Sequence, residues 1–109
     1  MDIQNKDGDT ALIVATENGH TDIAASLIAA KVLDNGYPDM DIQNKNGKTA
    51  LILATDKGHA DLAASLIAKG ANMDIQDKDG DTALIVATEN GHTDIAASLI
   101  AKGADMDIQ

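Results

Sequence analysis

Short apolar clusters return along the chain at a regular interval, each set between polar, glycine-containing segments. Residues Ala11 to Ala15 form one cluster. A polar break ending in Asn18-Gly19-His20 separates it from a second, in which Ile23, Ala24, Leu27 and Ile28 fall at the i, i+3 and i+4 spacings of one helix face. Thr10 stands just ahead of the first cluster, where its hydroxyl can cap a helix, and acidic residues precede it. The pattern predicts a short helix over Ala11 to Glu17, stopped at Asn18-Gly19, because glycine readily takes the positive φ of a helix end. A second, longer helix is expected to start at His20-Thr21-Asp22. Neither is long enough to hold alone in water, so each must bury its apolar face against another element.

The same events recur. Met73 to Ala101 repeats the first 29 residues with a single change, Asp77 in place of Asn5, and Met40 to Ala68 is a third, more divergent copy. The chain closes on Met106-Asp107-Ile108-Gln109, the tetrapeptide that opens every copy. Self-similarity at a fixed period of this size marks a repeat architecture, in which each unit buries its apolar face on the next. Gly47 and Gly80 are 33 residues apart and Gly8 and Gly47 are 39 apart. The six additional residues lie after Ala29, where Ala29 to Gln43 replaces the shorter Ala68 to Gln76. The second helix of the first unit is expected to run on through Ala30, Lys31, Val32 and Leu33 and to stop at Asp34-Asn35-Gly36. Tyr37-Pro38 then returns the chain to register, proline disfavouring helix at the residue before it.

A turn–helix–helix unit of this length resembles the ankyrin repeat. The residues that carry the resemblance in the last copy are Asp77, Gly80, Thr82, Gly91, His92 and Gly103-Ala104-Asp105. The middle copy has Gly47, Thr49, Gly58, His59 and Gly70-Ala71-Asn72, and the first has Gly8, Thr10, Gly19 and His20 with the insertion in place of the closing motif. The resemblance implies an all-α, ankyrin-type solenoid of stacked helix-turn-helix repeats joined by extended turn or β-hairpin loops. It implies one domain over 1–109, with repeats at about 5–43, 44–76 and 77–109 and residues 1–4 as the tail of a preceding unit. The family commonly reads T-P-L-H where this chain reads T-A-L-I: Ala11, Ala50 and Ala83 stand for proline, and Ile13, Ile52 and Ile85 for histidine. The first change removes a favourable helix-start residue; the second removes a polar side chain able to tie adjacent turns.

Composition narrows the chemistry. Tyr37 is the only aromatic residue, so aliphatic side chains and methionine must fill the core. There is no cysteine, which excludes disulfides and thiolate chemistry and is compatible with a reducing, cytoplasmic setting. No apolar run approaches the length of a membrane span. A net charge of −10 argues against nucleic acid or an anionic membrane as partner, since both require a cationic surface.

No cofactor, metal or catalytic residue is expected. His20, His59 and His92 sit one repeat apart, roughly 10 Å by helix packing, too far to share a metal ion. Asp77, Asp79 and Asp81 alternate like the start of a calcium loop, but the glycine and glutamate that such a loop needs do not fall in place, leaving weak calcium binding as an alternative reading. Ser26, Ser65 and Ser98 lie in the second helices without a nucleophile's partners, and there is no arginine and no phosphate loop.

The copies differ where a solenoid meets its surroundings. The middle copy departs from the third at eight positions, among them Asn46, Lys48, Asp56 and Lys57 at the turn tip and the end of the first helix. Met40 to Ala68 holds three acids and three lysines, whereas Met1 to Ala29 nets −4 and Met73 to Ala101 nets −5. In the ankyrin family these regions line a concave binding surface. The resemblance therefore implies a non-enzymatic module binding a protein partner through Lys45, Asn46, Lys48, Asp56 and Lys57, then Asp79, Asp81, Glu89 and Asn90. A rival expectation concerns the ends, which carry no polar capping repeat. Leu12 and Ile23 at one end and Leu84 and Ile95 at the other are expected to face water and to support head-to-tail association into a homo-oligomer. Near-identity of the first and third copies fits recent duplication and deliberate construction equally.

Overall fold

The computed structural model describes residues 4–29 and 40–104, and these form three helix pairs. The pairs are α1 (Ala11–Glu17) with α2 (Thr21–Ala29), α3 (Ala50–Asp56) with α4 (Ala60–Ala68), and α5 (Ala83–Asn90) with α6 (Thr93–Ala101). The predicted extension through Leu33, the stop at Asp34-Asn35-Gly36 and the position of Tyr37 lie outside the described residues.

Each first helix is built the same way. The Thr10, Thr49 and Thr82 hydroxyls accept hydrogen bonds from the Ile13, Ile52 and Ile85 amides at 3.2, 3.2 and 3.3 Å. These caps occupy a donor that two turns of helix cannot satisfy internally. One turn on, the Thr16, Thr55 and Thr88 hydroxyls each donate to the carbonyl of Leu12, Leu51 and Leu84 at 2.8 Å. Thr16 and Thr55 are fully buried, so this bond removes the cost of carrying a hydroxyl into the core. Among the described residues no buried side-chain polar atom lacks a partner. Between the helices of a pair, the His20, His59 and His92 amides donate to the Ala15, Ala54 and Ala87 carbonyls at 2.8 to 2.9 Å and close a tight turn. Asp22, Asp61 and Asp94 then lie in the first turns of the second helices, where the helix dipole favours negative charge.

The first helices pack in one row, α1 on α3 on α5, and the second helices in another, α2 on α4 on α6. Leu51, Ile52, Leu62 and Leu66 of the middle pair are almost wholly buried between its two neighbours. Completely buried alanines, Ala24, Ala54 and Ala63, let the helices approach closely. Each fully buried leucine contributes about 1.5–3 kcal/mol relative to exposure.

Burial corrects the expectation for the ends. Leu12 and Ile95 do not face water; both belong to the core. A repeat has two different stacking faces, and these residues lie on opposite ones. Leu12 is covered from the side of the following pair, and Ile95 from the side of the preceding pair. Of these four, Ile23 is exposed and Leu84 half-buried.

Candidate functional site

Turns project from the stack ahead of each first helix. Within each turn the side chain of Asn5, Asn44 or Asp77 accepts hydrogen bonds from the amides two and four residues on, at 2.9 to 3.1 Å. This brings Gly8 and Gly47 to positive φ and lays consecutive turns on one another. The Lys45 amide donates to the Asp7 carbonyl at 2.9 Å, and the Lys78 amide to the Asn46 carbonyl at 3.1 Å. No strand forms among the described residues, so these single bonds stand in for a ladder. Gln43 Nε2 adds a second tie, donating to the Gly47 carbonyl at 2.8 Å and to the Gln76 carbonyl of the next unit at 3.0 Å. Gln4 does the same toward Gly8 and Gln43. The turn-to-turn role that the absent T-P-L-H histidine leaves open is thus filled by glutamine. Its sequence signal is its recurrence as the last residue of every Met-Asp-Ile-Gln.

The two sets of expected contact residues sit at opposite ends of the first helices. A helix of seven residues is roughly 10 Å long, which separates the turn tip before α3 from Lys57 after it. Asn46, Asp56, Lys57, Asp79, Glu89 and Asn90 are exposed, and Lys48 and Asp81 are half-buried. Lys45 is exposed as well, but its ammonium lies 2.8 Å from the Asp7 carboxylate of the preceding turn. The hydrogen bond to Asp7 and its charge hold Lys45 above the usual lysine range. Neighbouring units are also joined at this surface by Asn44 Nδ2 donating to Asp9 at 3.1 Å and Asn90 Nδ2 donating to Asp56 at 3.2 Å. Lys48 and Lys57 form no ion pair among the described residues.

The histidines are separate structural contacts. His59 lies against Gly19 of the preceding pair, its Cε1 only 3.3 Å from where a Cβ on that glycine would stand, and His92 lies against Gly58 at 3.1 Å. The glycine-histidine dipeptide therefore works across units: each glycine makes room for the next unit's histidine.

Carboxylate oxygens of Asp77, Asp79 and Asp81 lie within 4.8 Å of one another. Asp77 there makes the two turn hydrogen bonds that Asn5 and Asn44 make in the other units. The middle turn has the same form with Asn46 and Lys48 at the other two positions, so the turn does not need three carboxylates to take this shape.

No helix among the described residues is long and apolar enough to cross a membrane. Residues 29–109 match the family model described as ankyrin repeats (3 copies), and residues 7–45 match the one described as ankyrin repeat. No curated protein sequence matches the chain. The family match spans well over half of the sequence and coincides with the repeated helix pairs, the threonine caps and the glycine–histidine contacts: the chain belongs to the ankyrin-repeat family.

Proposed function

We propose that the chain is a non-enzymatic interaction module that reads a protein partner with its turn tips and first-helix ends. Ankyrin repeats in general are protein–protein interaction modules, and the reading for this chain rests on one observation. Its first and third units are nearly identical, and four of the positions where the middle one differs from the third, exposed Asn46, Asp56 and Lys57 and half-buried Lys48, gather at the turn tip and the end of the first helix. These stand on a frame tied by buried threonines, glutamines and inter-turn bonds, so little ordering entropy is lost when they bind. Asp79, Asp81, Glu89 and Asn90 extend the surface in the third unit.

Since Lys45 is engaged by Asp7, the cations that the middle unit adds to this surface are Lys48 and Lys57, flanked by more acidic units. The matching partner surface is basic with an acidic centre. The chain acts as one domain with repeats at about 5–43, 44–76 and 77–109, and its cysteine-free sequence suits the cytoplasm.

Capture of partners on the immobilised chain, followed by titration, tests this. Lys48→Glu with Lys57→Glu is expected to lower affinity at least about tenfold, by juxtaposing like charges, with an unchanged circular dichroism spectrum. Unchanged affinity for every captured partner would place the binding surface elsewhere.

A further inference from the structure

The three copies of each stacking residue differ in exposure according to which neighbour the unit has. Ile23, Leu62 and Ile95 share one repeat position and are 56%, 1% and 3% exposed. Ile28, Ile67 and Ile100 share another and are 6%, 7% and 49% exposed. The first position is open only in the first helix pair, the second only in the third. The stack therefore presents two half-junctions. A backward face beside Ile23 forms a groove of about 430 Å³ on the first pair, and a forward face around Ile100 lies on the third.

These halves are the two sides of junctions the chain already makes. The forward face of the third pair has the residues with which the first pair meets the second, because the two copies are identical there. The backward face of the first pair likewise repeats the residues with which the third pair meets the second. We propose that the forward face of one chain takes the backward face of a second copy, so that copies stack head to tail in the register of the internal junctions.

Polar groups at the rim support that register. At the first internal junction Lys45 pairs with Asp7, Asn44 donates to Asp9, and His59 covers Gly19. In the same register between copies, Lys6 meets Asp79, Asn5 meets Asp81 and His20 meets Gly91. Gly91 has nothing within 4 Å of where its Cβ would stand, an empty seat of the kind that His59 and His92 fill elsewhere.

Asn5 is the most telling of these, being the single residue of 29 by which the first copy departs from the third. Its counterpart Asp77 follows a unit that carries Lys48 at the facing position. Placed at position 5, an aspartate would face the carboxylate of Asp81. The one difference falls where a copy-to-copy junction requires it, and in the required sense.

Opposite, non-identical faces generate rings or open filaments rather than closed dimers. The carboxylates at the rim stay usable, since Asp7 keeps 59% of its side chain exposed at a covered junction. Stacking of copies would therefore lengthen the partner-reading strip.

Sedimentation over a concentration series tests the proposal. The wild-type chain is expected to gain mass with concentration. Ile23→Asp and Ile100→Asp change exposed side chains, so both should keep the wild-type circular dichroism spectrum. Each alone is expected to stay monomeric, and their equimolar mixture to form a dimer and nothing larger. Asn5→Asp keeps the turn, as Asp77 shows, and is expected to weaken wild-type association about tenfold through carboxylate repulsion. A wild-type chain that is monomeric at every concentration would overturn the proposal. So would a mixture that stays monomeric, single variants that assemble like wild type, or an Asn5→Asp chain that associates undiminished.

Discussion

Gly47 stands at φ +77°, and a Cβ there would lie 2.8 Å from the Lys78 amide nitrogen. Both the left-handed backbone and the next turn exclude a side chain. Gly47→Ala should cost about 1–3 kcal/mol in urea unfolding, from backbone strain plus displacement of the Lys78–Asn46 contact. Lys45 offers a second check at this scale. Asp7 raises its pKa in the folded chain, so folding favours the ammonium. That contribution is present below the unfolded lysine value and fades as the pH climbs through the folded one. Both groups are well exposed, so the effect on stability is small and the titration itself is the better readout. Asp7→Asn should return the NMR titration of Lys45 toward lower pH.

The first helices survive at two turns because each end is tied locally and each face is covered. Thr49 caps α3 while itself buried, and Thr49→Ala should cost about 1 kcal/mol in thermal or denaturant unfolding. Leu66→Ala in α4 removes a fully buried side chain, and about 2–5 kcal/mol of stability is expected to go with it. Elements of this kind were legible in the sequence because their causes are local. Thr10 before Ala-Leu-Ile and Asn18-Gly19 after Glu17 mark the ends of α1 as found. What each face meets was not legible. A helix's own periodicity shows an apolar stripe but not which neighbour covers it, which is why Leu12 and Ile95 were expected at the open ends and lie in the core instead. The same limit applies to the candidate surface. The divergence at Asn46, Lys48, Asp56 and Lys57 is visible by comparing copies, whereas the engagement of Lys45 by Asp7 joins residues from two different units. Glutamine as the tie between turns could be suspected from its recurrence, but its partners are carbonyls, which no side-chain pattern reveals.

At the scale of the molecule, a unit of this solenoid is incomplete until it has neighbours. The middle pair has both, and its Leu51, Ile52, Leu62 and Leu66 are almost wholly buried; each outer pair has one and leaves a face open. Stability should therefore be uneven along the stack, in the manner of repeat arrays whose coherence comes from interfaces. Amide hydrogen exchange, followed residue by residue at two protein concentrations, tests this most directly. The account predicts slowest exchange in α3 and α4 and faster exchange in α1, α2, α5 and α6 in dilute solution. It further predicts that the outer helices gain protection as concentration rises and their open faces are covered by other copies. Equal protection of all three helix pairs, indifferent to concentration, would contradict it.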